Sequence, residues 1–364
     1  AAVQSLEQAV RAGVFPGASV ALGWRGQRVL VQAGRQEYDP TSAVVTQQTI
    51  YDCASLTKPV ATTTMAMMLI DRGLLRLDSP VSEYLPEFLD VADPLAEARR
   101  RVTVQDLLAH TSGLPAYAKF YQRCRRPEYV LAEVLAQPLE RAPGERTLYS
   151  DLGFILLGEL LVRIATRAAR PGQPHHLEDF CAWEIFQPLL MASSMFNPPK
   201  ELRVVIAPTE QDDDFRRHLV HGEVHDENAW VMGGIAPHAG LFSNAPDLSA
   251  FCQFMLNEGL WFGRQLVRPE TIREFTRTHA AADGSSRGLG WDKPSKPSSS
   301  GKYFSPASYG HLGFTGTSLW IDPEKQLYVV LLSNRVHPTR ANEAIKTFRP
   351  AFHDTVIEAL GLAS

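Results

Sequence analysis

The sequence predicts an α/β fold, an antiparallel sheet flanked by helices beside an all-helical region, and three observations predict it. β-rich runs stand near both ends of the chain, at 18–24 and 28–34 and again at 309–314, 317–321 and 327–332. Apolar runs of helical length, 55–72 and 152–164 among them, lie between those ends. The 25 Gly and 25 Pro of the 364 residues fall mainly between these runs, where turns and helix stops are needed. Together they predict one α/β region made of residues 1–75 and 240–364, a mostly helical region in 76–239, and a cleft between the two.

The elements follow in order. A short amphipathic helix carrying Val3, Leu6 and Val10 opens the chain and gives way to Pro16-Gly17. Runs 18–24 and 28–34, joined at Gly26-Gln27, read as a β-hairpin by alternation and turn chemistry. From Ser55 to Arg72 the residues are helical and almost wholly apolar, with Gly73 as the stop. A loop-rich stretch starts at Leu77-Asp78-Ser79-Pro80, and 102–109 makes a short helix ending at His110-Thr111-Ser112-Gly113-Leu114. Helices punctuated by Pro138, Pro143-Gly144, Pro171-Gly172 and Pro188 fill 127–200. An amphipathic helix over 247–257 leads to the three C-terminal strands, and a helix over 341–360 closes the chain. There is no internal repeat, and only the Pro- and Ser-rich loop 293–300 is of low complexity.

Composition narrows the function. With 45% hydrophobic and 21% charged residues the chain is an ordinary globular protein, long enough to bury a large core. A formal net charge of −4 and a pI near 6.3 carry no electrostatic footprint for nucleic acid. The run 152–164 is interrupted by Gly158, Glu159 and Arg163, falls short of the ~18 residues of a membrane span, and reads as a core helix. Cys53, Cys124, Cys181 and Cys252 form no CxxC pair and no metal-type spacing, so reduced thiols and a cytoplasmic location are expected. A periplasmic origin stays open, because a mature chain loses its signal peptide. No pattern speaks to oligomeric state.

Chemistry concentrates at Ser55-Leu56-Thr57-Lys58. On a helix this spacing stacks serine and lysine on one face. A serine hydroxyl needs an adjacent base, and a lysine serves when burial keeps it neutral. Pro59 belongs in a first helical turn, which fixes the helix start near Ser55 and leaves unpaired N–H groups there for an oxyanion site.

These residues, with the run from Val102 to Leu114, Pro143-Gly144 followed by Tyr149-Ser150-Asp151, and His311-Leu312-Gly313, resemble the serine β-lactamase and penicillin-binding protein superfamily. The resemblance is strongest to class C β-lactamases and family VIII carboxylesterases. It implies a β-lactamase-like fold, Ser55 as the acylated nucleophile and Lys58 as its activating partner. It also implies a Tyr149 phenolate that takes the serine proton and later protonates the leaving group. Gly313 matches the third motif's glycine on an edge strand, and the Phe314 N–H after it is then the second oxyanion donor beside that of Ser55.

Three departures bear on substrate. Asp151 stands where the class C pattern has asparagine, and a carboxylate only accepts hydrogen bonds. It is free to pair with Lys58 instead. His311 and Leu312 replace the usual lysine and threonine, so the fixed cation that grips a substrate carboxylate is missing. These changes favour a carboxylesterase acting on small uncharged esters, with no metal or organic cofactor. The alternatives are a β-lactamase or D-alanyl-D-alanine carboxypeptidase, and a non-catalytic peptide- or muropeptide-binding protein.

Other candidates are weaker. Gly284-Ser285-Ser286-Arg287-Gly288 spells G-x-S-x-G but lacks the strand–turn–helix context of a nucleophile elbow. His218, His221 and His225 with Asp226 match no metal-ligand pattern. The stretch His225-Asp226-Glu227-Asn228-Ala229, then Gly233-Gly234 and His238-Ala239-Gly240-Leu241-Phe242-Ser243, resembles a segment of some members of this family, which implies that it lines or supports the cleft opposite the tyrosine. Cys53 is expected to be a small buried residue.

Overall fold

The computed structural model describes residues 1–169 and 176–363; the expected break at Pro171-Gly172 lies outside the described residues. Strands β1 (Gly17–Trp24), β2 (Gln27–Gly34), β3 (Tyr309–Leu312), β4 (Ser318–Asp322) and β5 (Leu327–Ser333) form one five-stranded antiparallel sheet in the order β3-β4-β5-β1-β2. The two chain ends therefore meet in it, Ala18 opposite Ser333 and Trp24 opposite Leu327.

Five helices matter here: α1 (Ala2–Arg11), α2 (Thr64–Asp71), α3 (Asp151–Ala168), α4 (Ala245–Leu256) and α5 (Ile345–Ala359). β5 is buried along its whole length. Val329 and Leu331 pack with Leu6 of α1 and Phe352 of α5, while Tyr328, Val330 and Leu332 join Leu248 and Phe251 of α4 on the other face. A strand covered on both faces has no polar side, which is why 327–332 reads as an unbroken apolar run.

The expected helix over 55–72 arrives in three pieces: a 3₁₀ turn (Ala54–Leu56), a π-helical turn (Lys58–Thr63) and α2. Pro59 has no N–H to give, so a regular i→i−4 ladder cannot run through the junction. β3 stops at Leu312, earlier than expected, because Gly313 N–H turns back to Thr317 O (2.7 Å). The last helix starts at Ile345 rather than 341, since Arg335 Nη1 holds the carbonyls of Arg340 (2.9 Å) and Asn342 (2.8 Å) in a loop.

Ser150 caps α3 by accepting the Gly153 N–H (3.1 Å). Within α3, a Cβ on Gly158 would lie 1.9 Å from Pro237 Cγ. The bare backbone admits Pro237, whose carbonyl accepts Thr62 Oγ1 (2.7 Å), and so brings His238 beside Lys58. No described helix is long and apolar enough to cross a membrane.

Candidate active site

Ser55 sits on a strained elbow. The buried Asp52 carboxylate accepts the N–H groups of Ala54 (2.8 Å) and His225 (2.6 Å). Ala54 is thereby held at φ +47°, a left-handed conformation that a side chain leaves unless its surroundings over-determine it. Thr57 adds a second clamp, donating to Ala54 O (2.6 Å) and accepting the Leu241 N–H (3.1 Å).

Lys58 is fully buried, and its Nζ lies 3.1 Å from Ser55 Oγ, 2.9 Å from His238 O and 2.7 Å from Asp151 Oδ1. Burial pulls the amine strongly toward its neutral form, but the Asp151 carboxylate and Tyr149 outweigh it and the pKa is raised. The ion pair with Asp151 thus favours the ammonium form of Lys58. The partner comes from the start of α3, where the sequence leaves Asp151 free to pair with Lys58.

Tyr149 is positioned by His110, which grips the chain on both sides of it: His110 O accepts the Leu148 N–H (2.8 Å) and His110 Nδ1 accepts the Ser150 N–H (3.0 Å). The imidazole also packs on the Tyr149 ring at 4.6 Å, and burial pushes its pKa well down, so it stays neutral. The Lys58 ammonium lies 4.8 Å from the tyrosine ring centre. Burial raises the Tyr149 pKa, the Lys58 charge pulls it down, and Asp151 raises it again; the net direction is upward. The phenol oxygen is sealed from solvent, with Lys58 and Ser55 beside it.

The turn after β3 is tied to the backbone just before Ser55. Thr315 Oγ1 donates to Asp52 O (2.7 Å) and Thr317 Oγ1 to Cys53 O (3.0 Å). A Cβ on Gly313 would meet Cys53 O at 2.6 Å, so only glycine lets the two segments close. The Phe314 ring, 49% exposed, stacks on His225 (5.6 Å), while its carbonyl accepts Arg335 Nε (2.9 Å). On the oxyanion role that the resemblance implies for the Phe314 N–H, Gly313→Ala is expected to lower kcat on an ester by about 10²-fold, the loss typical of one such donor. An unchanged kcat in steady-state assays would refute that role.

His311 is buried, and its Nδ1 bonds Leu312 O (2.8 Å) while Nε2 has no partner. Burial, with Arg287 and Lys58 nearby, drives its pKa well below 6.5, so it brings no positive charge. The other histidines serve separate contacts: His225 bonds Glu210 (2.9 Å), His238 bonds Asp226 (3.1 Å), His218 bonds Glu223, and His221 bonds Ile206 O (2.8 Å). Asn228 holds a cleft wall, accepting the Tyr121 N–H (3.0 Å) and donating to Ala118 O (2.8 Å). Cys53 is fully buried, and its thiol is pushed well above its usual range.

A cleft of about 1020 Å³ opens over Ser55, Tyr149 and Asp151, with Tyr117, Asp226 and Phe314 on its walls. His110 and Asp52, which place the tyrosine and the elbow, were not singled out by the sequence reading. His110 stood within a recognised motif, whereas Asp52 carried no signal beyond its position before Ser55.

A family model described as Beta-lactamase matches residues 3–350. The chain belongs to the beta-lactamase family. A curated relative from Escherichia coli (strain K12), named "Putative D-alanyl-D-alanine carboxypeptidase", is 33% identical over 319 residues, covering 80% of this chain and 70% of that one. Among solved structures, a class C beta-lactamase superposes with a TM-score of 0.75 at 18% identity, covering 98% of this chain and 95% of its own. EstCE1, titled a hydrolase with promiscuous acyltransferase activity, gives 0.70 at 20% identity, with 95% and 97% covered. Within the beta-lactamase family this chain is a serine hydrolase.

Proposed function

We propose that the chain is a carboxylesterase that cleaves small uncharged esters through an acyl-enzyme on Ser55. Tyr149 works in its ionised form, its phenol proton having gone to solvent: Ser55 Oγ attacks the ester carbonyl carbon while the serine proton passes to the phenolate oxygen. The N–H groups of Ser55 and Phe314 hold the oxyanion, and the Lys58 ammonium steadies both oxygens. Collapse breaks the C–O bond, and Tyr149 returns the proton to the departing alcohol. Water then repeats the attack on the acyl-enzyme with Tyr149 again as base.

The observation that carries the ester reading is the Lys58–Asp151 ion pair at 2.7 Å. It commits the position opposite a substrate's side-chain amide to a carboxylate, which has no proton to donate. An ester that presents only its scissile carbonyl loses nothing there. A carbonyl left unpaired in a β-lactam or peptide costs about 1–3 kcal/mol, or roughly 5- to 150-fold in rate. EstCE1, which shares the fold, is titled a hydrolase with promiscuous acyltransferase activity, and acyl transfer is the chemistry proposed for Ser55. The relative from Escherichia coli favours D-alanyl-D-alanine carboxypeptidase activity as the second reading.

Rates on p-nitrophenyl esters, a chromogenic cephalosporin and a D-Ala-D-Ala peptide separate these readings. Asp151→Asn is expected to raise the ratio of kcat/KM for the cephalosporin to that for a short-chain ester, because it restores a donor of the same shape. An unchanged or lowered ratio would remove Asp151 as the determinant of substrate preference.

A further inference from the structure

Arg287 lies in the G-x-S-x-G stretch that lacks an elbow, and its loop is clipped to the segment that leads into Tyr149. Thr147 N–H donates to Ser285 Oγ (2.9 Å), while the N–H groups of Ala282 and Asp283 reach Gly144 O (2.9 Å) and Glu145 O (3.1 Å). The guanidinium is thereby carried to 5.4 Å from the Tyr149 ring centre. Its side chain is only 13% exposed, and its one ion pair among the described residues is with Asp292 Oδ1 (3.3 Å). Nε is buried with no acceptor. A guanidinium so withdrawn from water, with one buried donor unmet, is costly to hold.

The groups facing Tyr149 come from five elements: the Lys58 ammonium, the Asp151 carboxylate, the neutral imidazoles of His110 and His311, and Arg287. Lys58 and Asp151 largely cancel as a pair. His311 supplies no cation. Arg287 is the positive charge left over, and it lies over the ring across which a phenolate spreads its charge.

We propose that Arg287 is a positioning residue for catalysis, supplying the cation that stabilises the Tyr149 phenolate in place of the one His311 lacks. The proposal rests on Tyr149 acting as the base. The guanidinium gives up no proton; it attracts the phenolate more strongly than the neutral phenol.

The test is the alkaline profile of log kcat/KM on p-nitrophenyl butyrate. A base that works when ionised gives a limb that rises with pH, and a higher pKa moves that limb to higher pH. R287Q is expected to shift it up by about one pH unit, roughly a tenfold loss at a fixed pH below the limb. D292N, which removes the carboxylate that partly neutralises Arg287, is expected to shift it down, and R287K to stay near the parent. Y149F should lose the limb, and R287Q should have no further effect in that background. A limb unmoved in folded R287Q or in D292N overturns the proposal, as does a rise in KM for carboxylated substrates alone. A limb that survives in Y149F overturns the base assignment itself. If R287Q does not fold, the direction of the D292N shift decides.

Discussion

Ser55→Ala is expected to abolish ester hydrolysis, a loss on the order of 10⁴- to 10⁶-fold in kcat, while Ser286→Ala stays within about twofold. Ser55 lies 3.1 Å from the Lys58 ammonium at the floor of the cleft, on an elbow held at Ala54 by Asp52 and Thr57. Ser286 belongs to a two-residue strand paired with His279–Ala280, and the next element after it is β3, not a helix. A nucleophile needs a base within hydrogen-bond reach and donors for the oxyanion; among the described residues no base is hydrogen-bonded to Ser286. Labelling with a fluorophosphonate followed by peptide mass spectrometry locates the adduct independently of rate. An adduct on Ser286, or a dead Ser286→Ala, would overturn the mechanism.

The parts of the site that were legible in the sequence are local ones. Ser55 and Lys58 are three residues apart, so their meeting depends on one helical turn and survives its 3₁₀ and π-helical distortion. The five strands were legible because β-branched alternation and the doubly covered β5 leave distinct patterns. What could not be read are effects that need two distant segments at once. The grip of His110 on Ser150 spans 40 positions, and the Thr147–Ser285 clip that carries Arg287 spans 138. Neither pair has a local signature. The Lys58–Asp151 pair is a partial exception: the motif resemblance leaves Asp151 free to pair with Lys58, and the fold brings the two to 2.7 Å. Discounting 284–288 as a nucleophile motif, which agrees with the two-residue strand that holds Ser286, passed over its neighbour.

The second large effect is expected from removing the proton-transfer pair. Lys58→Ala and Tyr149→Phe should each lower kcat by about 10³-fold, and the double variant should fall no more than about threefold below the weaker single. Groups that serve one proton transfer are lost together when either goes, so losses that multiply toward roughly 10⁶-fold would mean independent roles. The charges in the site sharpen this expectation. Removing Lys58 leaves the Asp151 carboxylate without its 2.7 Å partner, and Asp151 acts to raise the Tyr149 pKa. Lys58→Ala therefore strands a carboxylate beside the base as well as deleting a cation, and its cost contains both parts. Replacing Asp151 by Asn in that background removes the stranded charge. Lys58→Ala with Asp151→Asn is thus expected to be more active than Lys58→Ala alone, and to unfold at a higher temperature, since a carboxylate no longer lies unpaired next to a buried tyrosine. Steady-state kinetics and thermal unfolding of the single and paired variants give both readings. If the added Asn lowers activity further, Asp151 has a duty in catalysis beyond holding Lys58, and the pair cannot be treated as a lysine and its counter-ion.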